Sequence, residues 1–353
     1  MITNELVNNF ISHSPGFHKD IELSEIDDKH TNILREAYKQ ISSVNGLTGS
    51  NFRSWKAQND LAVPAQVSFS HFRLHGVIKT ILKYFYMTFV RYRENKFLIS
   101  SLLDDVSVIN NLGAEKLLID NPVHLTPGVG NFYRTSGSSV NTRWLRYVYI
   151  LKRILDMNLL KNGGVWVDIG CYYGGIQGLV RKYNPRSKLV LVDFHHQLCR
   201  SYIYLNELFP DAIHILPDEI DKYGDINNIP EGGIMYVPVS EYVKIKDQKA
   251  DLVTNFFSLG EMRREFFSSY MDSKLFKESE NIYLVNRVVS SPFFEKTYDT
   301  DVSILDYIKS FRKIKYFDLF PMHHYLLLKR KLFGRVGFRN VSSPYFEIIT
   351  TKK

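Results

Sequence analysis

The chain has 353 residues, of which 44% are hydrophobic and 14% aromatic, so a protein that is disordered throughout is excluded. Its two cysteines, Cys171 and Cys199, are too few for a disulfide framework and indicate a reducing, cytoplasmic location. The formal net charge of +8 suits phosphates, acidic lipid headgroups or nucleotide-linked ligands. No RNA- or DNA-binding motif accompanies the charge, and we expect no DNA partner.

No segment of the sequence has the pattern of a membrane span. The most apolar segment, 77–90, is short and carries Lys79 and Lys83, and the first residues lack the pattern of a signal peptide. Basic residues concentrate at 79–96 and 329–335. Two interpretations of these basic segments stay open. They contact a membrane surface peripherally, or, more simply, they form the solvated faces of helices.

Residues 1–142 are predicted to form a mainly helical region. Helical stretches are broken here by Gly, Ser and Pro, and strands and helices do not alternate. The segment 30–46 fits a helix that ends at Asn45 and Gly46, since glycine just past a helix end supplies a left-handed cap. We expect this region to act as a lid and to bind the substrate.

Two segments of this region, 50–55 and 130–137, each combine an aromatic residue with an arginine. Aromatic faces stack on the C–H faces of sugars, and arginine clamps a phosphate or carboxylate with two hydrogen bonds. The same composition is common in surface loops, so both interpretations stay open. The substrate-binding candidates are Arg53, Tyr133, Arg134 and, on the helix that follows, Arg143.

From residue 143 to residue 353 the pattern changes to an alternation of apolar strands and helices. Such short apolar runs between helices are typical of a doubly wound, mostly parallel, Rossmann-like α/β sheet. The last runs have little helix between them and predict an antiparallel C-terminal strand. The predicted strands cover 165–170, 188–194, 212–216, 250–258, 281–289, 314–320, 325–331 and 345–352, and the helices 144–157, 176–183, 198–209 and 261–270.

The segment VWVDIGCYYGG, which starts at Val165, has the form of a strand followed by a ligand-binding loop. In a dinucleotide fingerprint the second glycine lets the backbone approach a pyrophosphate. Here Tyr172 stands at that second position after Gly170, and Asp168 adds negative charge. Both departures disfavour NAD and FAD. They favour a ligand without phosphates that carries positive groups, such as S-adenosylmethionine.

Two carboxylates frame this predicted cofactor site. Asp168 would orient the methionine end, directly or through water, and Asp193 ends the next strand, where a carboxylate can accept both ribose hydroxyls. The loop between them would let its backbone pass close to the ligand. The candidates in that loop are Gly170, Cys171, Tyr172 and Gly174.

The contact to the adenine amino group has two candidate positions. Asp218 follows the apolar run 212–216, and Ser240 and Glu241 follow a second apolar run. One of the two runs is an insertion or an edge strand. We favour Asp218.

The stretches VDIGCYYGG and LVDF resemble the class I S-adenosylmethionine-dependent methyltransferases, over about 165–353, with a glycine pattern thinned by Tyr172 and Tyr173. TNFFSLGEM at 254–262 and NTRWLRYVYILKRI at 141–154 resemble the sugar O-methyltransferases associated with bacterial polysaccharide clusters. The resemblance implies methyl transfer from S-adenosylmethionine to the hydroxyl of a sugar, a nucleotide sugar or a glycan.

The segment NFFSLGEM follows a predicted strand, and open α/β sheets bind ligands beyond the carboxyl ends of their strands. Asn255, Ser258 and Glu261 are three residues apart, which would bring them onto one face if a helix starts here. Glu261 is then the candidate base or anchor for the acceptor hydroxyl, with Asn255 and Ser258 orienting. Alternatively, Ser258 and Glu261 form a capping box.

Two histidine pairs compete for the role of base. His195 and His196 follow Asp193, and the other pair is His323 and His324. Extended neighbours point to opposite faces, so neither pair supplies two ligands to one metal ion, and no metal site is predicted. Packing or a surface position is the simpler interpretation for each of them, and His323 and His324 are the reserve candidates for the base.

Two other functions stay open at this point. The positive net charge of the chain is compatible with a nucleic-acid methyltransferase that acts on RNA. A non-catalytic protein of the same fold that scaffolds a glycan-assembly complex is the second. A homo-oligomeric state is also compatible with the sequence.

Overall fold

A computed structural model describes residues 4–17, 19, 85, 99–123, 133–135, 137–289, 302–323, 327–330, 336–339 and 344–353, with only the backbone for 133–134, 327–330 and 336–339. Several sequence predictions lie outside these residues. They are the helix at 30–46, Arg53 with its segment 50–55, His324 and most of the basic segment 79–96.

The helices and strands of the described residues extend from Asn4 to Lys352. In chain order they are α1 (Asn4–Ser12), α2 (99–111), α3 (Glu115–Asp120), β1 (Tyr133–Thr135), β2 (Ser138–Val140), α4 (Thr142–Asp156), β3 (Val165–Ile169), α5 (Gly175–Tyr183), β4 (Lys188–Asp193), α6 (His195–Leu208), β5 (His214–Ile215), α7 (Ile220–Tyr223), β6 (Ile234–Pro238), β7 (Leu252–Phe256), α8 (Arg264–Met271), α9 (Lys274–Glu278), β8 (Asn281–Arg287), α10 (Ile304–Tyr307), β9 (Arg312–Leu319), β10 (Leu327–Arg330), β11 (Val336–Arg339) and β12 (Tyr345–Lys352).

The chain divides into two compact units. The first contains Met1–Trp55, Ile150–Phe320 and Ser343–Lys353, and the second contains Lys56–Tyr149 and Pro321–Ser342. This partition differs from the predicted boundary after residue 142, because α1 belongs to the first unit. A lid or acceptor-binding role for residues 1–142 stays a prediction.

The first unit is built on an eight-stranded sheet in the order β5-β6-β4-β3-β7-β8-β12-β9. All neighbours from β5 to β8 pair in parallel, whereas β12 runs antiparallel to both β8 and β9. The chain builds one half of the sheet outward from β3 through β4 and then restarts at β7 on the other side of β3. This order confirms the predicted doubly wound, mostly parallel α/β fold with an antiparallel C-terminal strand.

The central strands are buried along their whole length. Every residue of β3, β6, β7 and β8 is buried, as a parallel sheet with helices on both faces requires. One face packs a core that includes Val167, Val190, Val253 and Leu284. The continuous apolar runs in the sequence therefore reflect two covered faces, and the ends of these strands are left as the places where polar side chains can meet.

Helix α1 packs inside the first unit. Phe10 is fully buried, and its ring lies 5.7 Å from the ring of Tyr202 in α6 and 6.1 Å from that of Tyr236 in β6. Asn9 Nδ2 donates a hydrogen bond of 2.9 Å to the Tyr202 hydroxyl. The apolar and polar contacts together fix this helix against the sheet.

Four predicted elements differ from the structure. Helix α6 begins at His195, so His195 and His196 lie in a first helical turn and not in an extended segment. The run 212–216 is reduced to the short edge strand β5, while β6 is an inner strand. The helix expected at 261–270 begins at Arg264, after a 3₁₀ turn. Strands β10 and β11 pair with each other as a separate hairpin in the second unit.

The second unit contains α2, α3 and the β1–β2 hairpin among its described elements. Asn141 Oδ1 accepts a 2.8 Å hydrogen bond from the backbone N–H of Trp144, which is the side-chain cap expected at a helix start. None of the helices described in either unit is long and apolar enough to cross a membrane.

Candidate functional site

The loop that follows β3 contains three residues with left-handed backbone. Gly170 has φ +80°, Tyr172 has φ +56° and Gly174 has φ +83°. This region is unfavourable for a side chain as large as tyrosine. The backbone N–H of Tyr172 donates a 2.8 Å hydrogen bond to Asp193 Oδ2, at the end of β4. The Asp193 carboxylate therefore helps to hold the loop in this conformation.

Gly170 is required by its surroundings as well as by its backbone. A Cβ at this position would overlap Ser258 Oγ and approach Ser258 Cβ to 3.1 Å. The loop after β3 and the loop after β7 are therefore in contact through these two residues. Gly174 serves a different purpose, because a Cβ there would lie 3.1 Å from Leu205 Cδ1 in α6.

Asp168 lies beneath this loop and is 2% exposed. Its two oxygens accept hydrogen bonds from Gln177 Nε2 and Thr254 Oγ1. Burial raises the pKa of Asp168 to about 8. Burial therefore opposes ionisation of this carboxyl group, and its predicted role at the methionine end of the ligand stays a prediction. Its side chain joins β3, α5 and β7 and so supports the loop from below.

Asp193 occupies the predicted position at the end of β4. Besides the bond from Tyr172, its Oδ1 accepts a 2.8 Å bond from the backbone N–H of Phe194. These two bonds tie the end of β4 to the loop after β3 and to the start of α6. Cys171 is buried with its sulfur 3.5 Å from Ser201 Oγ, and burial raises the pKa of its thiol. This cysteine packs in the loop as an inert side chain.

The Asn255 side chain organises the loop after β7. Its Nδ2 donates to the carbonyl of Ile169 at 2.7 Å and to Ser258 Oγ at 2.6 Å. Its Oδ1 accepts from the Leu259 backbone N–H and from Asn286 Nδ2, both at 3.0 Å. These hydrogen bonds of Asn255 and Ser258 are thus made to other groups of the protein itself. Their predicted role in orienting an acceptor stays a prediction, and it would be exerted through the loop that they hold.

Phe257 is the residue that turns the chain after β7, with φ +73°. Its ring lies 5.6 Å from that of Phe320 and 5.2 Å from that of Tyr345. Strands β3 and β7 are neighbours, so left-handed aromatic residues follow two adjacent strands, Tyr172 after one and Phe257 after the other. Non-glycine residues in this conformation tend to cluster at functional sites.

Glu261 lies at the end of the 3₁₀ turn Leu259–Glu261. The prediction that Asn255, Ser258 and Glu261 share one helix face is wrong, because Asn255 is in a strand and the turn is not α-helical. The capping-box alternative also differs from the structure, since the Ser258 side chain makes no capping hydrogen bond to this turn. Glu261 Oε1 lies 3.0 Å from Arg287 Nη2, and its side chain is 40% exposed against 9% for the arginine.

Arg287 is not among the residues predicted from the sequence. It is the last residue of β8, and its Nε donates a 3.1 Å bond to the Tyr345 hydroxyl at the start of β12. Burial is the largest cause that acts on the pKa of Arg287, and it lowers this pKa. The negative charge of Glu261, together with Tyr345 and Tyr307, outweighs burial, so the pKa of Arg287 is raised. The signal available in the sequence was its position at the carboxyl end of a buried strand.

The two candidate positions for the adenine contact follow different strands: Asp218 follows β5, two strands away from β4 and Asp193, whereas Ser240–Glu241 follow the neighbouring strand β6. Asp218 follows the edge strand β5, and its Oδ2 lies 2.9 Å from His13 Nδ1. Ser240 and Glu241 follow β6, whose Pro238 is level with Asp193 in the neighbouring strand β4. The adenine contact is a prediction for either position, and the sheet order favours Ser240–Glu241.

The histidine candidates have different environments. His195 and His196 are buried in the first turn of α6, and burial lowers the pKa of His196 to about 3. The ring of Phe17 lies 5.7 Å from that of His195. Both histidines therefore fit a packing role better than that of a base.

His323 is held by a carboxylate within the second unit. Its Nδ1 lies 2.8 Å from Asp105 Oδ1, which also accepts its backbone N–H at 2.9 Å. Arg146 Nε donates a 3.1 Å bond to its carbonyl oxygen. The hydrogen bond with the buried Asp105 raises the pKa of the His323 imidazole. Its role as a reserve base stays a prediction.

The acceptor-binding candidates are not brought together by the residues described. Tyr133 and Arg134 pair with Val140 and Ser139 through the β1–β2 hairpin, and their side chains lie outside the described part. Arg143 is half-buried in the first turn of α4. Among the side chains that are described, no group of three or more His, Cys, Asp and Glu is placed to hold a metal ion.

Neither a protein-family model nor a curated protein matches the chain. Several solved structures are similar at low identity. Magnesium protoporphyrin IX methyltransferase from Synechocystis PCC 6803, solved with bound S-adenosylmethionine, is 10% identical over 60% of this chain and 80% of its own, with a TM-score of 0.39. TehB from Haemophilus influenzae is 12% identical over 57% of this chain and 62% of its own, with a TM-score of 0.37.

A third similar structure is precorrin-6y C5,15-methyltransferase from Geobacter metallireducens GS-15. It is 14% identical over 58% of this chain and 88% of its own, with a TM-score of 0.32. Each of these TM-scores is below 0.5. The fold of this chain is therefore assigned from its own strand order and pairing.

Proposed function

We propose that this protein is an S-adenosylmethionine-dependent methyltransferase that methylates a hydroxyl group of a sugar. The observation that carries the proposal is the contact between Gly170 and Ser258. It joins the loops after β3 and β7, on the two sides of the point where the strand order reverses. Ligands in open α/β sheets bind outside the carboxyl ends of the strands at such a switch point.

The hydrogen bonding of the first loop supports this donor over a dinucleotide. Dinucleotide loops present free backbone N–H groups to a pyrophosphate. Here the N–H of Gly170 donates to the Val192 carbonyl at 2.7 Å, and that of Tyr172 donates to Asp193. The Tyr172 side chain and the Asp193 carboxylate are further obstacles to a diphosphate. A ligand that is recognised through ribose hydroxyls and a cationic end fits this loop better.

Asp193 is the residue we propose for the ribose hydroxyls, and the 170–174 loop would lie along the methionine end. S-adenosylmethionine, when bound, supplies an electrophilic methyl group on its sulfonium. The protein's own contribution is to place the acceptor oxygen and to accept its proton. Orientation accounts for about 7–11 kcal/mol in well-aligned intramolecular reactions, and a positioned base for roughly 10²–10⁴-fold in rate.

The acceptor side of the proposal depends on the loop after β7. Phe257, Phe320 and Tyr345 form an aromatic group beside the Glu261–Arg287 ion pair. Aromatic rings with a nearby carboxylate and guanidinium are suited to the C–H faces and hydroxyls of a sugar. The resemblance of 254–262 to sugar O-methyltransferases supports the same choice. Glu261 is the proposed hydroxyl anchor.

Isothermal titration calorimetry with S-adenosylhomocysteine tests the donor site before any acceptor is known. The wild-type protein should bind it saturably, and Asp193→Asn should weaken the binding at least about tenfold, as expected for loss of a charge-assisted hydrogen bond. Asp211→Asn is the control, because Asp211 is exposed in the turn before β5. The proposal fails if no binding is detected, or if NAD binds with the same dependence on Asp193.

A further inference from the structure

Strand β9 lies at one edge of the eight-stranded sheet, and among the strands of the described residues it pairs with β12 alone. The Phe320 N–H donates to the Tyr345 carbonyl of β12 at 2.9 Å. The preceding N–H, that of Leu319, donates instead to the Asp318 carboxylate at 2.7 Å. Backbone groups of alternate residues therefore face away from β12, and an edge of this kind is able to pair with a further strand.

A β-bulge places three apolar side chains of β9 on one face. Lys315 is skipped in the pairing with β12, which shifts the alternation of the strand by one residue. Ile314, Phe317 and Leu319 lie opposite 350, 348 and 346, which are alternate residues of β12, so all of them share one face of the sheet. The three apolar side chains are exposed by 44%, 45% and 60%. Exposed apolar side chains that adjoin one another mark interaction surfaces more often than scattered ones do.

The other face of β9 carries Lys313, Tyr316 and Asp318. Two copies of the strand that are related by a two-fold axis perpendicular to the sheet run antiparallel and keep equivalent faces on the same side. With the axis at Tyr316, Lys313 of each copy lies opposite Asp318 of the other, and Ile314 lies opposite Phe317. A two-fold register moved along the strand loses the opposition of Lys313 and Asp318. In this one register the strand is therefore complementary to itself in charge and in apolar contacts.

We propose that two copies of this chain form a two-fold dimer through antiparallel pairing of their β9 strands, centred on Tyr316. The inference goes beyond the proposed function and does not depend on it. Lys315 stands at the bulge beside the axis, and edge lysines commonly oppose strand pairing. We therefore expect a reversible dimer with a dissociation constant of roughly 10 µM, and not an obligate one.

Sedimentation velocity from about 1 to about 200 µM measures the association, and the wild type should pass from monomer to dimer over this range. Phe317→Ser should raise the dissociation constant at least about tenfold, because it removes an apolar contact on each side of the axis. Val243→Ser is the matched control, since Val243 is an apolar residue of the first unit that is 61% exposed after β6. A monomer at every concentration, or a dimer that is insensitive to Phe317→Ser, overturns the inference.

A charge swap tests the register. Asp318→Lys would place two lysines opposite each other on both sides of the axis, so the dimer should weaken at least about tenfold. Adding Lys313→Asp to the same chain restores opposite charges, and the dissociation constant should return to within about threefold of the wild-type value. The register is overturned if the second substitution does not restore the dimer.

Disulfide trapping reports the same register directly. Cys171 and Cys199 are buried, so the wild type should not form a crosslinked dimer under mild oxidation. Residues directly opposite in an antiparallel pair have Cα atoms about 4.5–5.5 Å apart, within reach of a disulfide. A mixture of Lys313→Cys and Asp318→Cys proteins should therefore crosslink, whereas neither variant should do so alone, because equivalent residues lie roughly 14 Å apart across the axis. Crosslinking of either variant alone, or none in the mixture, contradicts the proposal.

Discussion

Replacing Gly170 by alanine tests whether the loops after β3 and β7 are in contact. Adoption of φ +80° by a residue with a Cβ costs about 1–2 kcal/mol. The new Cβ would also overlap Ser258 Oγ and force it to move. That movement breaks the 2.6 Å hydrogen bond from Asn255 Nδ2, which contributes about 1 kcal/mol. We expect Gly170→Ala to lower the free energy of unfolding by about 2–3 kcal/mol.

Urea unfolding of four variants measures the two contributions separately. Gly224→Ala is the control for backbone cost alone, because Gly224 has φ +65° and nothing lies within 4 Å of its Cβ position. Ser258→Gly removes the overlap, so Gly170→Ala should cost less in that background, with a coupling of about 1 kcal/mol. Equal costs for Gly170→Ala and Gly224→Ala, or an additive cycle, would refute the contact between the loops.

Three further predictions concern individual side chains. The raised pKa of Asp168 means that the folded state keeps a proton that the unfolded state has released, so stability should fall as pH rises from about 4 to about 8. Asp168→Asn should flatten that fall in urea unfolding at several pH values, and an equally steep fall would contradict it. Glu261→Gln leaves the charge of Arg287 without its carboxylate partner. Inorganic phosphate at about 10 mM should therefore raise the melting temperature of this variant more than that of the wild type. Asp105→Asn should lower the pKa of His323 in an NMR titration, since the hydrogen bond that the imidazole donates to Asp105 is the main cause that raises it. An unchanged titration would show that the pair does not form.

The sequence was sufficient for the parallel core of the sheet, for a physical reason. Strands buried on both faces read as continuous apolar runs, and these runs located β3, β4, β7 and β8 to within a few residues. It could not decide between the two apolar runs on either side of residue 218. An edge strand and an inner strand differ in their pairing partners, and those partners are not local in sequence.

The candidate site shows the same limit at the level of single residues. Asp193 and Gly170 lie at the predicted strand end and in the predicted tight turn, because both are local features, and their part in binding a ligand stays a prediction. The turn after β7 was predicted as a helix, but Asn255 Oδ1 takes the backbone N–H of Leu259 and fixes a tighter path. Arg287 was missed because it meets Glu261 only through the pairing of separate strands.

The most direct test of the proposed donor site is a crystal structure of the protein grown with S-adenosylhomocysteine. The ribose hydroxyls should lie within hydrogen-bond distance of the Asp193 carboxylate, and the homocysteine end should lie along residues 170–174. A structure in which this loop remains without the nucleoside, or in which NAD places its pyrophosphate there, would contradict the assignment.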